Sequence, residues 1–125
     1  MSADMSVAMN TLHMAMNLEQ MRARVAAHNI AMANVPGSQV MRFDSVNAMA
    51  GLKSTRGDQA LFAQMLSQLR AQDLNAYTQP DTSGNALSLD AEVAELSAAS
   101  GQYQRLADAV SRQFALMQLA IRGGR

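Results

Sequence analysis

The sequence predicts an all-α fold: two long terminal helices paired as an antiparallel, coiled-coil-like hairpin, with a loop-rich middle that contains one short helix. Two observations support this prediction. The apolar residues are chiefly Ala, Leu and Met, with three Phe, two Tyr and no Trp, and this mixture favours helix over strand. Apolar residues also recur at helical spacing over roughly 30 residues at each end of the chain, whereas the middle has no comparable pattern. We therefore divide the chain into residues 1–34, 35–87 and 88–125.

The N-terminal segment is predicted to form a single helix over residues 3–34, because it contains neither Pro nor Gly. Its apolar residues fall into two rows at helical spacing. The first row is Val7, Met14, Leu18, Met21, Val25 and Met32, and the second is Met5, Met9, Leu12, Met16, Ala23 and Ile30. One partner helix cannot cover two rows. The helix is therefore expected to be buried against another subunit as well as against its own chain.

A well-defined stop ends this helix. Val35 precedes a proline, which disfavours the helical conformation at that residue. Pro36 and Gly37 suit the two central positions of a type II turn, because glycine readily adopts the positive φ that the second position requires. Asn34 is a suitable residue for a helix end. The chain is therefore expected to leave the helix axis after residue 34.

The middle segment is predicted to be mostly loop. Residues 40–44 could form a short extended piece, and residues 51–57 and 77–85 have the composition of loops. Asp58 can cap a short helix near residues 58–72. The apolar face of that helix comprises Leu61, Phe62, Met65, Leu66 and Leu69. A middle with so little regular structure is expected to be either functional or ordered by its neighbours.

The C-terminal segment predicts a second long helix over residues 88–122, with Ser88 or Asp90 as its cap. Acidic residues near its start and arginines near its end both favour the helix dipole. One row, with alternating spacing of four and three, runs the whole length of this helix, which is typical of a coiled-coil seam. We name the eight large apolar residues of this row the assembly seam: Leu89, Val93, Leu96, Tyr103, Val110, Phe114, Met117 and Ile121.

The composition argues against several classes of function. The net charge is zero, which gives no basis for nucleic-acid binding. The chain has no Cys, and neither His13 nor His28 has a carboxylate three or four residues further along, so we expect no metal site and no cofactor. No nucleophile lies in a recognisable catalytic or phosphate-binding motif. We therefore expect neither enzyme activity nor a small-molecule substrate.

The 11 methionines admit two interpretations. They either fill an ordinary core or give a contact surface that adapts to different neighbours. A helix lying on a membrane surface would need a polar face rich in Lys and Arg, and the N-terminal helix offers only Arg22 and Arg24. The start of the chain has no apolar segment of the secretory type. The protein is therefore expected to stay in the cytosol or to leave it without a cleaved signal.

The end of the first helix resembles the N-terminal motif of bacterial flagellar axial proteins, the subunits of the rod, hook and hook-associated structures. In that family the motif typically reads Asn-Ile-Ala-Asn, followed by Thr-Pro-Gly-Tyr. The matching residues in this chain are Arg22, Ala27, Asn29, Ile30, Ala31, Asn34, Pro36 and Gly37. Three residues depart from the pattern: Met32 stands at an asparagine, Val35 at the threonine and Ser38 at the tyrosine.

Further segments are similar to the proximal rod subunits of that family. Phe43 and Asp44 resemble the aromatic and acidic segment that follows the turn in those subunits. The similar segments of the C-terminal helix are residues 89–93, 103–104, 111–114 and 120–122. The resemblance therefore covers both ends of the chain, and the middle adds little to it.

The resemblance implies a structural subunit of the basal-body rod. Rod subunits stack through their paired terminal helices into a hollow tube in the periplasm, and they are exported without a cleaved signal. The implied partners are other copies of the chain, other rod proteins, and components of the membrane-supramembrane (MS) ring and the export gate. A rival hypothesis from another class is a stand-alone helical adaptor or chaperone-like binding module, which would form a stable, soluble helical hairpin.

Overall fold

A computed structural model describes residues 2–84 and 87–123, with side chains from Ser6 onward. This part of the chain holds four α-helices and a two-stranded antiparallel sheet. The elements are α1 (Ser2–Ala31), β1 (Met41–Phe43), α2 (Ser45–Lys53), α3 (Gln59–Ala71), a 3₁₀ turn (Leu74–Tyr77), β2 (Thr78–Pro80) and α4 (Leu89–Gly123). The side chain of Met5, and residues 1, 85, 86, 124 and 125 of the predicted segments, lie outside the described part.

The predicted stop after α1 is confirmed. The regular helix ends at Ala31, three residues earlier than expected, and the chain then tightens into turns closed by bonds to the third residue back. The Ser38 N–H donates to the Val35 carbonyl oxygen at 3.2 Å, and Gly37 has a φ of +81°. These are the closing bond and the positive φ that a type II turn centred on Pro36 requires.

The middle segment is more helical than predicted. The short helix near residues 58–72 is confirmed as α3, whose first turn is capped by Asp58 through a bond from the Leu61 N–H at 3.1 Å. The prediction of a loop over residues 51–57 is wrong for its first part, because α2 continues through Gly51 to Lys53. The cap of α2 is Asp44, whose carboxylate accepts from the Asn47 N–H at 3.0 Å.

The two-stranded sheet corrects the all-α prediction. β1 confirms the extended piece expected at residues 40–44. β2, in contrast, lies in the stretch that was predicted as a loop, and it pairs with β1 through Met41↔Pro80, Arg42↔Gln79 and Phe43↔Thr78. Pro80 has no N–H to offer, and a proline is tolerated only where a strand needs no donor towards its neighbour. The sheet therefore folds the middle of the chain back on itself.

The main core lies between α1 and the middle segment. Met14 and Leu18 of α1 pack with Leu66 and Leu69 of α3 and with Ala48 of α2, and all five side chains are buried. The first apolar row of α1 is therefore covered largely by its own chain, although the sequence suggested that a second subunit was needed. The second row stays only partly covered, since its described members are all of intermediate exposure.

The C-terminal helix begins as predicted. Ser88 caps α4, because its carbonyl accepts from the Glu92 N–H at 3.0 Å and its hydroxyl accepts from the Ala91 N–H at 3.3 Å. At 35 residues α4 is the longest element, and α1 contacts it more extensively than any other element. An ion pair between Arg22 of α1 and Glu95 of α4, at 2.6 Å, joins the two helices.

Candidate assembly surface

Three motif residues, Arg22, Asn29 and Phe43, lie where the end of α1, the strand β1 and the start of α4 meet. We name the polar cluster at this point the motif junction and define it by Asn29, Arg42, Asp81 and Glu92. Two of its members, Asn29 and Glu92, are buried. A buried polar group is costly unless it has partners, so the contacts of these side chains decide how the three elements sit.

Asn29 holds β1 against α1. Its amide Nδ2 donates to the Met41 carbonyl at 3.0 Å, while its Oδ1 accepts from the Met41 N–H at 2.9 Å. Both backbone groups of one strand residue are thus paired by one side chain, as they would be by a third strand. Asn29 is only 2 % exposed, so water does not compete for these bonds. The motif asparagine therefore has a structural role within the chain.

Arg42 links the sheet to α4. Its Nη1 donates to Glu92 Oε1 at 2.5 Å, and its Nε lies 3.2 Å from Asp81 Oδ2. The Glu92 side chain is 5 % exposed and that of Arg42 is 50 % exposed, so the pair reaches from the interior to the surface. The bond to Glu92 raises the pKa of Arg42. Hydrogen bonds from Ser83, and then the charge of Arg42, lower the pKa of Asp81.

Arg22 makes a direct bridge between the long helices. Its Nη1 contacts Glu19 of the same helix at 2.8 Å, and its Nε and Nη2 both donate to Glu95 of α4, at 2.9 and 2.6 Å. The bond to Glu95, and then the charge of Glu19, raise the pKa of Arg22 against the lowering effect of its burial. The family-like arginine therefore fixes α1 beside α4.

The remaining motif residues are divided between surface and core. Ala27, Ala31, Asn34, Pro36 and Gly37 are exposed, and Ile30 is of intermediate exposure. Phe43 packs against the core cluster. The departing residue Ser38 has a use of its own, because its hydroxyl lies 2.8 Å from the carbonyl oxygens of both Met32 and Val35. It thereby serves carbonyls that the end of a helix leaves without a partner.

The assembly seam lies largely at the surface of the single chain. Leu89, Val93, Tyr103, Phe114 and Ile121 are exposed, while Leu96, Val110 and Met117 are of intermediate exposure. α4 instead buries Glu92 and Ala99. These two positions are seven residues apart, so they share a helix face different from the seam. Two leucines outside the seam, Leu116 and Leu119, are exposed as well.

A cleft of about 520 Å³ opens beside the motif junction, between α1, β1 and the start of α4. We name it the head cleft. Its apolar lining includes Val25, Ala26 and Phe43, and its charged lining consists of Arg22, Arg42, Glu92 and Glu95. The head cleft therefore has a lining of mixed polarity, in which apolar side chains lie beside paired charges.

Sequence reasoning did not find Arg42, Asp81 or Glu92. For Glu92 a signal existed, because it starts a row spaced by seven with Ala99 and Leu106, which are small or apolar. An acid in such a row indicates a buried carboxylate that needs a cation. For Arg42 and Asp81 no local signal existed, since their contact depends on the pairing of β1 with β2.

Both histidines are exposed, and neither belongs to the motif junction, although His28 directly precedes Asn29. Among residues 2–84 and 87–123, no three His, Asp or Glu side chains come together as a group that could hold a metal ion. None of the helices in the described part combines the length and the apolar character needed to cross a bilayer.

Comparisons with models of protein families, with curated proteins and with solved structures gave no match for this chain. The resemblance to flagellar axial proteins therefore rests on the residues quoted above.

Proposed function

We propose that this protein is a structural, non-catalytic subunit of the bacterial flagellar basal-body rod, similar to the proximal rod protein FlgB. The observation that carries the proposal is the apolar surface of α4, a 35-residue helix that leaves five large seam residues exposed in the single chain. Soluble monomers rarely expose extended apolar surface, and such a surface indicates a protein–protein contact. The motif at residues 22–37 directs that inference to the flagellar axial family.

The arrangement proposed for assembly is an antiparallel, coiled-coil-like pair of α1 and α4, with the seam directed to neighbouring copies. The ion pair between Arg22, near the end of α1, and Glu95, near the start of α4, supports the antiparallel direction. A contact between unlike surfaces that does not close into a ring generates an open helix of subunits. A rod needs that geometry.

The motif junction supports the proposal in a different way. Arg22 and Asn29 form their hydrogen bonds within the chain: Arg22 bonds to Glu95, and Asn29 bonds to the Met41 backbone. Their role is to fix the middle segment and α4 to α1, which gives each copy the same shape. The contacts with neighbours then fall to apolar side chains, mainly those of α4.

The partners that follow from this proposal are other copies of the chain, other rod proteins, and components of the MS ring and the export gate. The proposed location is the periplasmic rod of the basal body, reached by export without a cleaved signal. No step of this function requires a cofactor, a nucleic acid or a small-molecule substrate.

A genetic experiment tests the proposal. Deletion of the coding sequence in the bacterium that carries it should abolish motility and the rod, and the intact chain should restore both. The variant Ile30→Asp should express normally but fail to restore motility, because it places a charge on the half-covered second row. The matched control is Gln20→Asp, an exposed position of the same helix. Normal motility of the deletion strain would refute the proposal.

A second candidate, the stand-alone helical adaptor, is favoured by the core that α1 forms with α2 and α3 inside one chain. Circular dichroism combined with sedimentation of the purified chain separates the two. A cooperative, fully helical monomer at all concentrations supports the adaptor. Association that grows with concentration and increases the helical signal supports the rod subunit.

A further inference from the structure

We propose that the head cleft of one copy receives the C-terminal end of α4 from a second copy. This inference rests on the proposed function and adds the identity of one contact to it. The occupant is a stripe on α4 that we name the tip face, formed by Arg112, Leu116, Leu119 and Arg122. Spacings of four, three and three place these residues on one side of the helix.

The tip face has no counterpart in its own chain. Leu116 and Leu119 are 57 % and 63 % exposed, and both arginines are exposed. Neither Arg112 nor Arg122 makes an ion pair with any residue of the described part. In an antiparallel pair joined at the Arg22–Glu95 contact, one moves towards the start of α1 while moving towards the end of α4. The first residue of α1 then lies level with about residue 115 of α4. The end of α4 therefore extends past α1.

The ion-pair cluster around the head cleft has two more carboxylates than guanidinium groups, whereas the residues that line the cleft itself are two arginines and two glutamates. Arg22 and Arg42 each contact two carboxylates, so four negative charges meet two positive ones. Two of those carboxylates, Glu92 and Glu95, line the head cleft directly. A cationic partner is therefore favoured there, and it would lower the repulsion among the acids.

The two surfaces match in composition. The tip face has two leucines between two arginines, and the head cleft has a lining of mixed polarity within a cluster that holds two more carboxylates than guanidinium groups. The two positive charges of the tip face equal the negative excess of the cluster around the cleft. Burial of the leucines would supply the affinity, and the charges would set the orientation.

The occupant has to come from another copy. Ala91 at the cleft and Ala120 at the tip are 29 residues apart on one continuous helix, which is about 43 Å. One molecule therefore cannot fold its own tip into its own cleft. Because the cleft and the tip are different surfaces at opposite ends of α4, each copy can bind one neighbour at each end, and the chain of contacts stays open.

Cysteine cross-linking tests this contact, because the natural chain has no cysteine. The purified full-length variant Ala91→Cys/Ala120→Cys, treated with a short bismaleimide, should give a ladder of dimers, trimers and larger species. The matched control Ala91→Cys/Ser67→Cys has its second cysteine on an exposed position of α3. It should give at most a small fraction of those species. A ladder no stronger than that of the control would overturn the proposal.

Charge reversal tests the chemistry of the contact. Arg112→Glu/Arg122→Glu, introduced into the cross-linking variant, should reduce the ladder at least tenfold, because it reverses the charge of the tip face from positive to negative and places it beside carboxylates. Lys53→Glu/Arg56→Glu makes the same change in net charge outside α4 and should leave the ladder intact. Raising the salt concentration should weaken the ladder, since salt screens exposed charges. A ladder that persists after the tip reversal would contradict the assigned contact.

The outcome is separable from that of the proposed function. If the deletion strain lacks a rod but the ladder fails to form, the protein is a rod subunit whose tip binds something other than this cleft, such as another rod protein. If the strain keeps its rod, the proposed function fails, whatever the cross-linking shows.

Discussion

The substitution Asn29→Ala should destabilise the chain by about 2–4 kcal/mol in the free energy of unfolding. The side chain makes two hydrogen bonds to the Met41 backbone, at 2.9 and 3.0 Å. A typical bond contributes about 0.5–1.5 kcal/mol net, and a buried group left without a partner costs about 1–3 kcal/mol. The Met41 carbonyl keeps a long contact of 3.5 Å with Arg42 Nη1, which holds the estimate below the sum of two full penalties.

Urea denaturation followed by circular dichroism, at a concentration low enough to prevent association, measures this change. Hydrogen exchange adds a local readout, because the Met41 amide should lose its protection before the rest of the sheet does. The matched control is Asn34→Ala, the same substitution at the exposed second asparagine of the motif. Its effect should stay within about 0.5 kcal/mol.

A loss below about 0.5 kcal/mol for Asn29→Ala would refute the role of Asn29 as the residue that holds β1. Unchanged exchange at the Met41 amide would refute it independently. Either result would mean that β1 is held to α1 by Phe43 and the core cluster alone.

Three further predictions concern the turn and the motif junction. Arg42→Met should lower the free energy of unfolding, measured by urea denaturation, by about 1–3 kcal/mol, because it leaves the buried carboxylate of Glu92 without its cation. Adding Glu92→Leu should recover most of that loss. Gly37→Ala should cost about 1 kcal/mol by the same assay, since its φ is +81° and an added Cβ meets no atom within 4 Å. Because folding lowers the pKa of Asp81, its contribution to stability is fully present above about pH 3.8 and is lost as the pH falls through the pKa of the folded state. Asp81→Asn should therefore flatten the acid side of the plot of stability against pH.

Each of these predictions has a result that would contradict it. A double variant at Arg42 and Glu92 that is less stable than Arg42→Met alone would show that Glu92 is not an isolated charge. A neutral Gly37→Ala would show that the turn tolerates a side chain at positive φ. An Asp81→Asn variant with the wild-type acid profile would place the titrating group elsewhere.

The helices α3 and α4, with their caps, and the turn after α1 follow from local sequence signals. α3 follows Asp58, α4 follows Ser88, and the turn at Pro36 and Gly37 is set by the φ preferences of its own residues. Such features depend on a few neighbouring residues, so periodicity and cap chemistry are enough to place them.

Features that depend on distant pairing were not predictable in the same way. β2 contains Pro80 and becomes a strand only because β1 lies beside it. α2 was missed because Gly51 weakens a helical pattern, yet the packing of Ala48 into the core compensates for that cost. The packing of the middle segment on α1 could not be predicted either, because no local pattern shows which element will lie on which apolar row of α1.

The candidate site was predicted in its residues more than in its geometry. The motif identified Arg22 and Asn29, and the Met41 backbone emerged as the partner of Asn29 only in the folded chain. The assembly seam was identified by its spacing, and its exposure on a single chain could not follow from spacing, since a seam facing α1 would have the same pattern. The seam is exposed because the face of α4 that is buried holds Glu92 and Ala99 instead.

A density map of the basal body, from the bacterium that carries this protein, is the decisive test of the proposed rod subunit. We expect copies of this chain in the rod wall, with α1 and α4 side by side and with Val93 and Phe114 buried between neighbouring subunits. A rod whose density is fully explained by other proteins would refute the proposal, as would a copy in which these α4 side chains still face solvent.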